Sequence, residues 1–181
     1  MSRGGTRLLS ELYKPAEALA RQRKIRLLRQ DVREPDEVSA TLLRGEGYTI
    51  ERLGLPLGDW SWDIREEAWL HARGYVTLTV ERKTLADLRD VARLENQLSR
   101  ARLMLASEKL GEQTLFVVLV EYAFDRDRQR RWSEQAVRHA KLSIQLGGIK
   151  VTECGENGIA EAVDGLYKWS QKLGHSLAGS V

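Results

Sequence analysis

Residues 115–120 read Leu-Phe-Val-Val-Leu-Val, six apolar side chains in unbroken succession, and Glu121 closes the run. A strand with one wet face alternates apolar and polar residues, whereas a short run with no polar member fits a strand covered on both faces. Such strands occur in sheets that carry helices on each side, so this segment directs the chain toward an α/β architecture.

The flanking sequence supplies the layers. Ile25, Leu27, Leu28 and Val32 make a first short apolar run that stops at Asp31-Val32-Arg33-Glu34, just before Pro35. Residues 36–45 place Val38, Leu42 and Leu43 on one helical stripe, with Gly45 and Gly47 ending it. A second strand over 48–53 leads through Gly54, Pro56 and Gly58 to the compact Trp60-Ser61-Trp62-Asp63-Ile64 segment, with Asp59 at the turn. Residues 74–81 alternate Tyr75, Thr77 and Thr79 against Val76, Leu78 and Val80, the pattern of a central strand. Thr84 opens a long helix to about residue 110, with Leu85, Leu88, Leu94, Leu98 and Leu105 inward. A helix over 133–146, a strand over 149–152 and a helix over 159–173 complete the series. The expectation is an α/β layered domain, a mixed central sheet flanked by helices on both faces, with the run from 48 to 81 as its antiparallel part. Residues 25–173 form that domain, residues 1–24 an N-terminal helical arm interrupted by Pro15, and residues 174–181 a tail.

A chain of 181 residues is long enough to close a core without disulfide or metal staples. The single cysteine, Cys154, excludes an internal disulfide, and His71, His139 and His175 are too scattered for a local zinc motif. No apolar run approaches the ~20 residues of a membrane span, and the opening Met-Ser-Arg-Gly-Gly lacks a signal peptide's apolar segment. A soluble, intracellular protein of the cytoplasm or nucleoid is expected. A net charge of +3 permits DNA binding without requiring it.

The chemistry gathers at strand ends. Asp31, Asp59 and Glu81 all fall at or beside them, where side chains distant in sequence can meet in one cleft. Convergent acids repel one another unless a cation joins them, and Mg²⁺ takes one or two carboxylates plus waters and a substrate phosphate. Lys83, two residues after Glu81 on an extended chain, projects from the same face. A divalent ion can activate water and polarise a phosphoryl oxygen, while an adjacent ammonium offsets charge developing on the phosphate. In-line attack of this kind leaves a 5′-phosphate and a 3′-hydroxyl.

Gly58-Asp59, then Glu81-Arg82-Lys83, then Asp87-Leu88, resembles the XPF-type nuclease signature GD…ERK…D within the restriction-nuclease-like PD-(D/E)XK superfamily, and Asp31-Val32-Arg33-Glu34 resembles its upstream D-x-R-E element. The similarity extends through Arg93, Gln97 and the 115–121 strand, covering roughly residues 25–170. The resemblance implies a restriction-endonuclease-like fold, Mg²⁺ or Mn²⁺ as cofactor, and cleavage of DNA that is branched or has single-strand/double-strand junctions, such as flaps and forks. It implies Asp31, Asp59 and Glu81 as metal ligands, Lys83 and Arg82 at the phosphate, and Glu34 and Asp87 in support. Family members often append a tandem helix-hairpin-helix domain. This sequence ends at Val181, soon after its last expected helix, so action alone, as a homodimer or with a targeting partner all stay open. Alternatives to the endonuclease are a non-catalytic DNA-binding or scaffold subunit of a nuclease complex, and a resolvase-like or duplex-cutting restriction-like enzyme.

Several of these residues also have plainer roles open to them. Thr84 to Asp87 matches a helix capping box, and Arg33 can serve as a solvated partner for a nearby acid. The arginines of the long helix can be a solvated face, although Arg93 and Gln97, four residues apart, share a side that, with Arg100 and Arg33, could face DNA. Residues 125–131 read as a surface loop and candidate lid, and Trp60 and Trp62 as core residues rather than base-stacking platforms.

Overall fold

The structure is a computed structural model that describes residues 26–107, 113–122 and 133–174. The expected N-terminal arm, the candidate lid at 125–131 and nearly all of the tail lie outside the described residues. In chain order the elements are β1 (Arg26–Asp31), α1 (Asp36–Glu46), β2 (Tyr48–Leu53), β3 (Trp60–Asp63), α2 (Trp69–Ala72) and β4 (Thr77–Thr84). There follow α3 (Leu85–Arg89), α4 (Val91–Leu105), β5 (Thr114–Tyr122), α5 (Glu134–Leu146), β6 (Lys150–Gly155) and α6 (Ile159–Ser170).

Six strands form one sheet in the order β2-β1-β3-β4-β5-β6. The apolar run at 115–120 lies in β5, one strand from the edge, and it feeds both faces. Leu115, Val117 and Leu119 join Leu28, Trp60, Trp62, Leu78 and Val80 under α1 and α6, which contribute Leu42, Ile159 and Val163. Phe116, Val118 and Val120 face the other way, against Leu88 of α3, Leu94 and Leu98 of α4, and Val137 and Ile144 of α5. Val118, Leu119 and Val120 are wholly buried. Each such side chain contributes about 1.5–3 kcal/mol of burial free energy, so a polar residue anywhere in the run would cost one of the two cores. Trp60 and Trp62 are also wholly buried, and Trp62 Nε1 donates to Ser170 Oγ at 2.9 Å.

The antiparallel portion is narrower than expected. β2 pairs with β1 in parallel, from Arg26↔Tyr48 to Asp31↔Leu53, and only β3 runs antiparallel to its neighbours β1 and β4. The cause is α1: a strand, helix and strand close most readily as a parallel crossover unit. Residues 54–59 then carry the chain past the end of β1 to its other side. β4 begins and ends three residues later than the expected 74–81, because its ladder with β5 continues to Thr84↔Glu121. The expected long helix is two: Asp90 leaves helical geometry at φ −81°, ψ 76°, and its side chain caps α4 by accepting from Arg93 N at 3.1 Å. Asp is favoured there because its carboxylate can accept from the first free N–H groups of a helix. The short α2 was not anticipated from the sequence.

Candidate active site

Asp59 is placed by the residue before it. Gly58 has φ +76°, and a Cβ there would collide with Thr79 Cγ2 and come within 2.8 Å of Val80 O. Only a residue with no side chain adopts that backbone cheaply and lies so close to β4. Asp59 N then donates to Val80 O at 2.7 Å, and the β3–β4 register Trp60↔Val80, continued by one residue, brings Asp59 opposite Glu81. The backbone N–H of Arg82 completes the placement by donating to Asp59 Oδ2 at 2.7 Å.

Asp59 and Glu81 thus face each other across adjacent strands. Lys83, on the same side of β4 as Glu81, donates from Nζ to Glu81 Oε1 and is itself buried. No cationic side chain pairs with Asp59 among the described residues. Burial, followed by the charge of Glu81, pushes the Asp59 carboxyl up to about 7, against the opposing pull of the Arg82 N–H. Two opposed carboxylates, with Asp59 holding its proton more tightly beside the charge of Glu81, suit a hard divalent cation, which accepts one or two such ligands and completes its shell with water and phosphate.

Asp31 differs from that pair. Its backbone N–H reaches Asp59 O at 2.8 Å, so it is adjacent. Both of its oxygens are nevertheless taken: Oδ1 accepts from Arg33 N at 2.9 Å and Arg33 Nε at 2.7 Å, and Oδ2 accepts from Arg33 at 3.0 Å and Leu55 N at 2.9 Å. The Arg33 guanidinium, with the N–H groups of Arg33 and Leu55, holds the Asp31 carboxyl at about 2 despite its burial. Among the described residues no three His, Cys, Asp or Glu side chains come together as a metal-holding group. Asp59 and Glu81 stand opposed as a pair, and the Asp31 carboxylate, beside them, is engaged by the turn that follows β1. Four donors already fill the carboxylate's lone-pair directions.

Arg82 also departs from expectation. Strand alternation turns it away from Glu81 and Lys83 to the opposite sheet face, where its Nε and a terminal nitrogen donate to Glu121 Oε2 at 3.0 and 2.6 Å. Glu34 approaches the same guanidinium at 3.6 Å. Burial raises the affinity of Glu34 for its proton, and Arg82 partly offsets this. The capping reading of Asp87 is realised: its Oδ2 accepts from Thr84 N at 2.9 Å, and Asp87 N donates back to Thr84 Oγ1 at 3.3 Å.

Asp31, Arg33, Glu34, Asp59, Glu81, Arg82, Lys83, Asp87, Arg93, Gln97 and Arg100 all line one cavity of about 660 Å³. Its lining carries basic residues from two elements: Arg33, whose side chain is 76% exposed, from the turn after β1, and Arg93 and Arg100, with Gln97, from α4. Arg102 is turned elsewhere and donates to Gly147 O at 3.1 Å. Sequence reasoning missed two features of the site. Leu55, Pro56 and Leu57, whose only sequence signal was a loop of hydrophobic residues between glycines, line the cavity beside Met104 and Phe116. Glu121 was read as the end of a strand, and the acid directly after the apolar run was the available clue.

Residues 28–156 match the family model described as the ERCC4 domain. The fold resembles that of XPF from Aeropyrum pernix, with a TM-score of 0.55 at 24% identity, over 80% of this chain and 64% of that one. XPF from Aeropyrum pernix in complex with DNA matches over the same shares, with a TM-score of 0.53 at 25% identity. This chain therefore spans a little under two thirds of those solved chains. No curated protein matches it.

Proposed function

This chain belongs to the ERCC4 domain family, and we propose that it is a metal-dependent DNA endonuclease that hydrolyses phosphodiester bonds in branched or flap-like DNA. The observation that carries the proposal is the Asp59–Glu81 pair, opposed across β3 and β4, with Lys83 against Glu81 and basic side chains from the β1 turn and from α4 lining the same cavity. The relative solved with DNA supports DNA as the ligand.

Asp59 and Glu81 would hold Mg²⁺ or Mn²⁺, which when bound supplies activation of a water nucleophile and neutralisation of phosphate charge. The protein's own groups do the rest. Arg33 from the β1 turn and Arg93, Gln97 and Arg100 from α4 fix the backbone phosphates, setting the register of the strand without reading its sequence. Lys83, pinned by Glu81, keeps a positive charge beside the phosphorus as negative charge grows on its oxygens. The attacking oxygen forms a bond to phosphorus, the bond to the 3′ oxygen breaks, and that oxygen leaves as a hydroxyl after taking a proton. The products carry a 5′-phosphate and a 3′-hydroxyl. Among the described residues no helix is long and apolar enough to cross a membrane.

The test is incubation of purified protein with end-labelled flap, fork and linear duplex DNA in Mg²⁺ or Mn²⁺, beside Asp59→Asn and Glu81→Ala. The expected result is cleavage near the single-strand/double-strand boundary by the wild type and by neither variant. A folded, DNA-binding protein that cuts nothing in either metal would overturn the proposal.

A further inference from the structure

Arg82 sits between two acids that belong to different parts of the fold. Glu121, at the end of β5 with its side chain 8% exposed, accepts from two nitrogens of the guanidinium. Glu34, in the turn after β1, approaches a third nitrogen at 3.6 Å with an Oε2 that is buried and has no hydrogen-bond partner of its own. One guanidinium therefore bridges β5 to the turn, a task for which its planar fork is suited and a lysine is not.

That turn carries Arg33 to the mouth of the cavity. Its backbone is held from the other side, where an Arg52 nitrogen donates to Val32 O at 2.8 Å and Glu34 O at 2.9 Å. Within it, Glu34 N donates to Asp31 O at 3.0 Å. The Glu34 side chain depends on Arg82, and the orientation of Arg82 is fixed by Glu121.

Resting on the nuclease reading, we propose that Glu121 is a positioning residue: through Arg82 and Glu34 it holds the turn at residues 31–35 so that Arg33 faces the phosphates of bound DNA. If Glu121 loses its charge, the guanidinium has only Glu34 to compete for, the bridge loses one abutment, and the turn samples other conformations. Phosphate grip weakens, whereas Asp59, Glu81 and Lys83, held by the β3–β4 ladder, the Arg82 N–H and one another, stay in place.

The experiment compares wild type, Glu121→Gln, Arg82→Gln, Arg82→Lys and the Glu121→Gln/Arg82→Gln double variant. Three measurements are made: amide hydrogen exchange at residues 32–34, affinity for a fluorescent flap DNA in Ca²⁺, and KM against kcat in Mg²⁺. Faster exchange in the turn is expected in every variant, with affinity falling and KM rising about five- to tenfold, and in Glu121→Gln kcat stays within about twofold. The double variant should be no worse than either single one, because both remove the same bridge. Arg82→Lys keeps the charge and so reports on the bridge if Arg82→Gln fails to fold. Unchanged exchange and affinity in Glu121→Gln, additive losses in the double variant, or a fall confined to kcat would overturn the proposal. A wild type that binds but never cuts would instead sink the nuclease reading, while the exchange and affinity measurements still judge the role of Glu121.

Discussion

The backbone N–H of Arg82 donates to Asp59 Oδ2 at 2.7 Å, so the strand that carries Glu81 also fixes the acid facing it. This bond holds two carboxylates close without neutralising either. Burial and the neighbouring Glu81 raise Asp59 to about 7 from an ordinary 3.8, which makes it a stability liability at neutral pH. Below about 3.8 the group is protonated whether the chain is folded or not. Between the two values only the folded state keeps the proton, so the contribution to stability is lost as pH rises and levels off above about 7. Asp59→Asn should therefore melt at a higher temperature than the wild type in chelator at about pH 8, with the difference vanishing near pH 4. Its cleavage rate should fall about a hundredfold or more. Melting curves from about pH 4 to about pH 8.5 check the sign, and a variant less stable than wild type at the alkaline end would contradict it.

Divalent cation binding should expel the proton that Asp59 holds. With that carboxyl at about 7, apparent Mg²⁺ affinity should fall about tenfold for each pH unit below neutrality and level off above it. Calorimetry in buffers of different ionisation enthalpy would show close to one proton released per ion at about pH 6 and almost none at about pH 8.5. Removing the ion with chelator at about pH 8 should lower the melting temperature of the wild type and leave Asp59→Asn unaffected.

Gly58→Ala tests whether the approach of the loop to β4 sets the site. The left-handed backbone alone costs roughly 1–2 kcal/mol with a side chain present, and the new methyl also meets Thr79 and the Val80 carbonyl. We expect loss of stability beyond that figure in urea denaturation, together with loss of Mg²⁺-induced stabilisation as Asp59 shifts. A variant that keeps both would show that the loop has room.

Arg33 is expected to contact phosphate from an exposed position while its backbone and Nε hold Asp31. Arg33→Ala should weaken binding uniformly across DNA sequences and reduce the salt dependence of affinity by about one phosphate contact. The Asp31 carboxyl, held at about 2 chiefly by that guanidinium, should titrate higher in the variant. The stability it lends is full above about 3.8 and lost as pH falls toward 2, so the variant should unfold at a milder acidity. Anisotropy titrations at several salt concentrations and an acid-unfolding series measure the two effects.

Periodicity and local chemistry were enough to specify the layers of the domain and part of its site. The apolar run of β5 required a two-sided sheet, because six consecutive buried side chains need cover on both faces, and a period of two sends alternate residues into the two separate cores. The same period put Lys83 beside Glu81, and the glycine before Asp59 marked a turn. Partnerships between distant residues came from packing instead. Whether β2 ran with or against β1 depended on the crossover through α1, and the break at Asp90 depended on the capping geometry that its side chain found. Asp31, Asp59 and Glu81 are equivalent acids in the linear chain; the fold surrounds the first with four donors and leaves the other two opposed. Arg82 is one member of a charged triplet until β5 brings Glu121 alongside, 39 residues away in sequence. Hydrogen bonds and ion pairs across such separations depend on where the packed sheet places its strand ends, which no local pattern encodes.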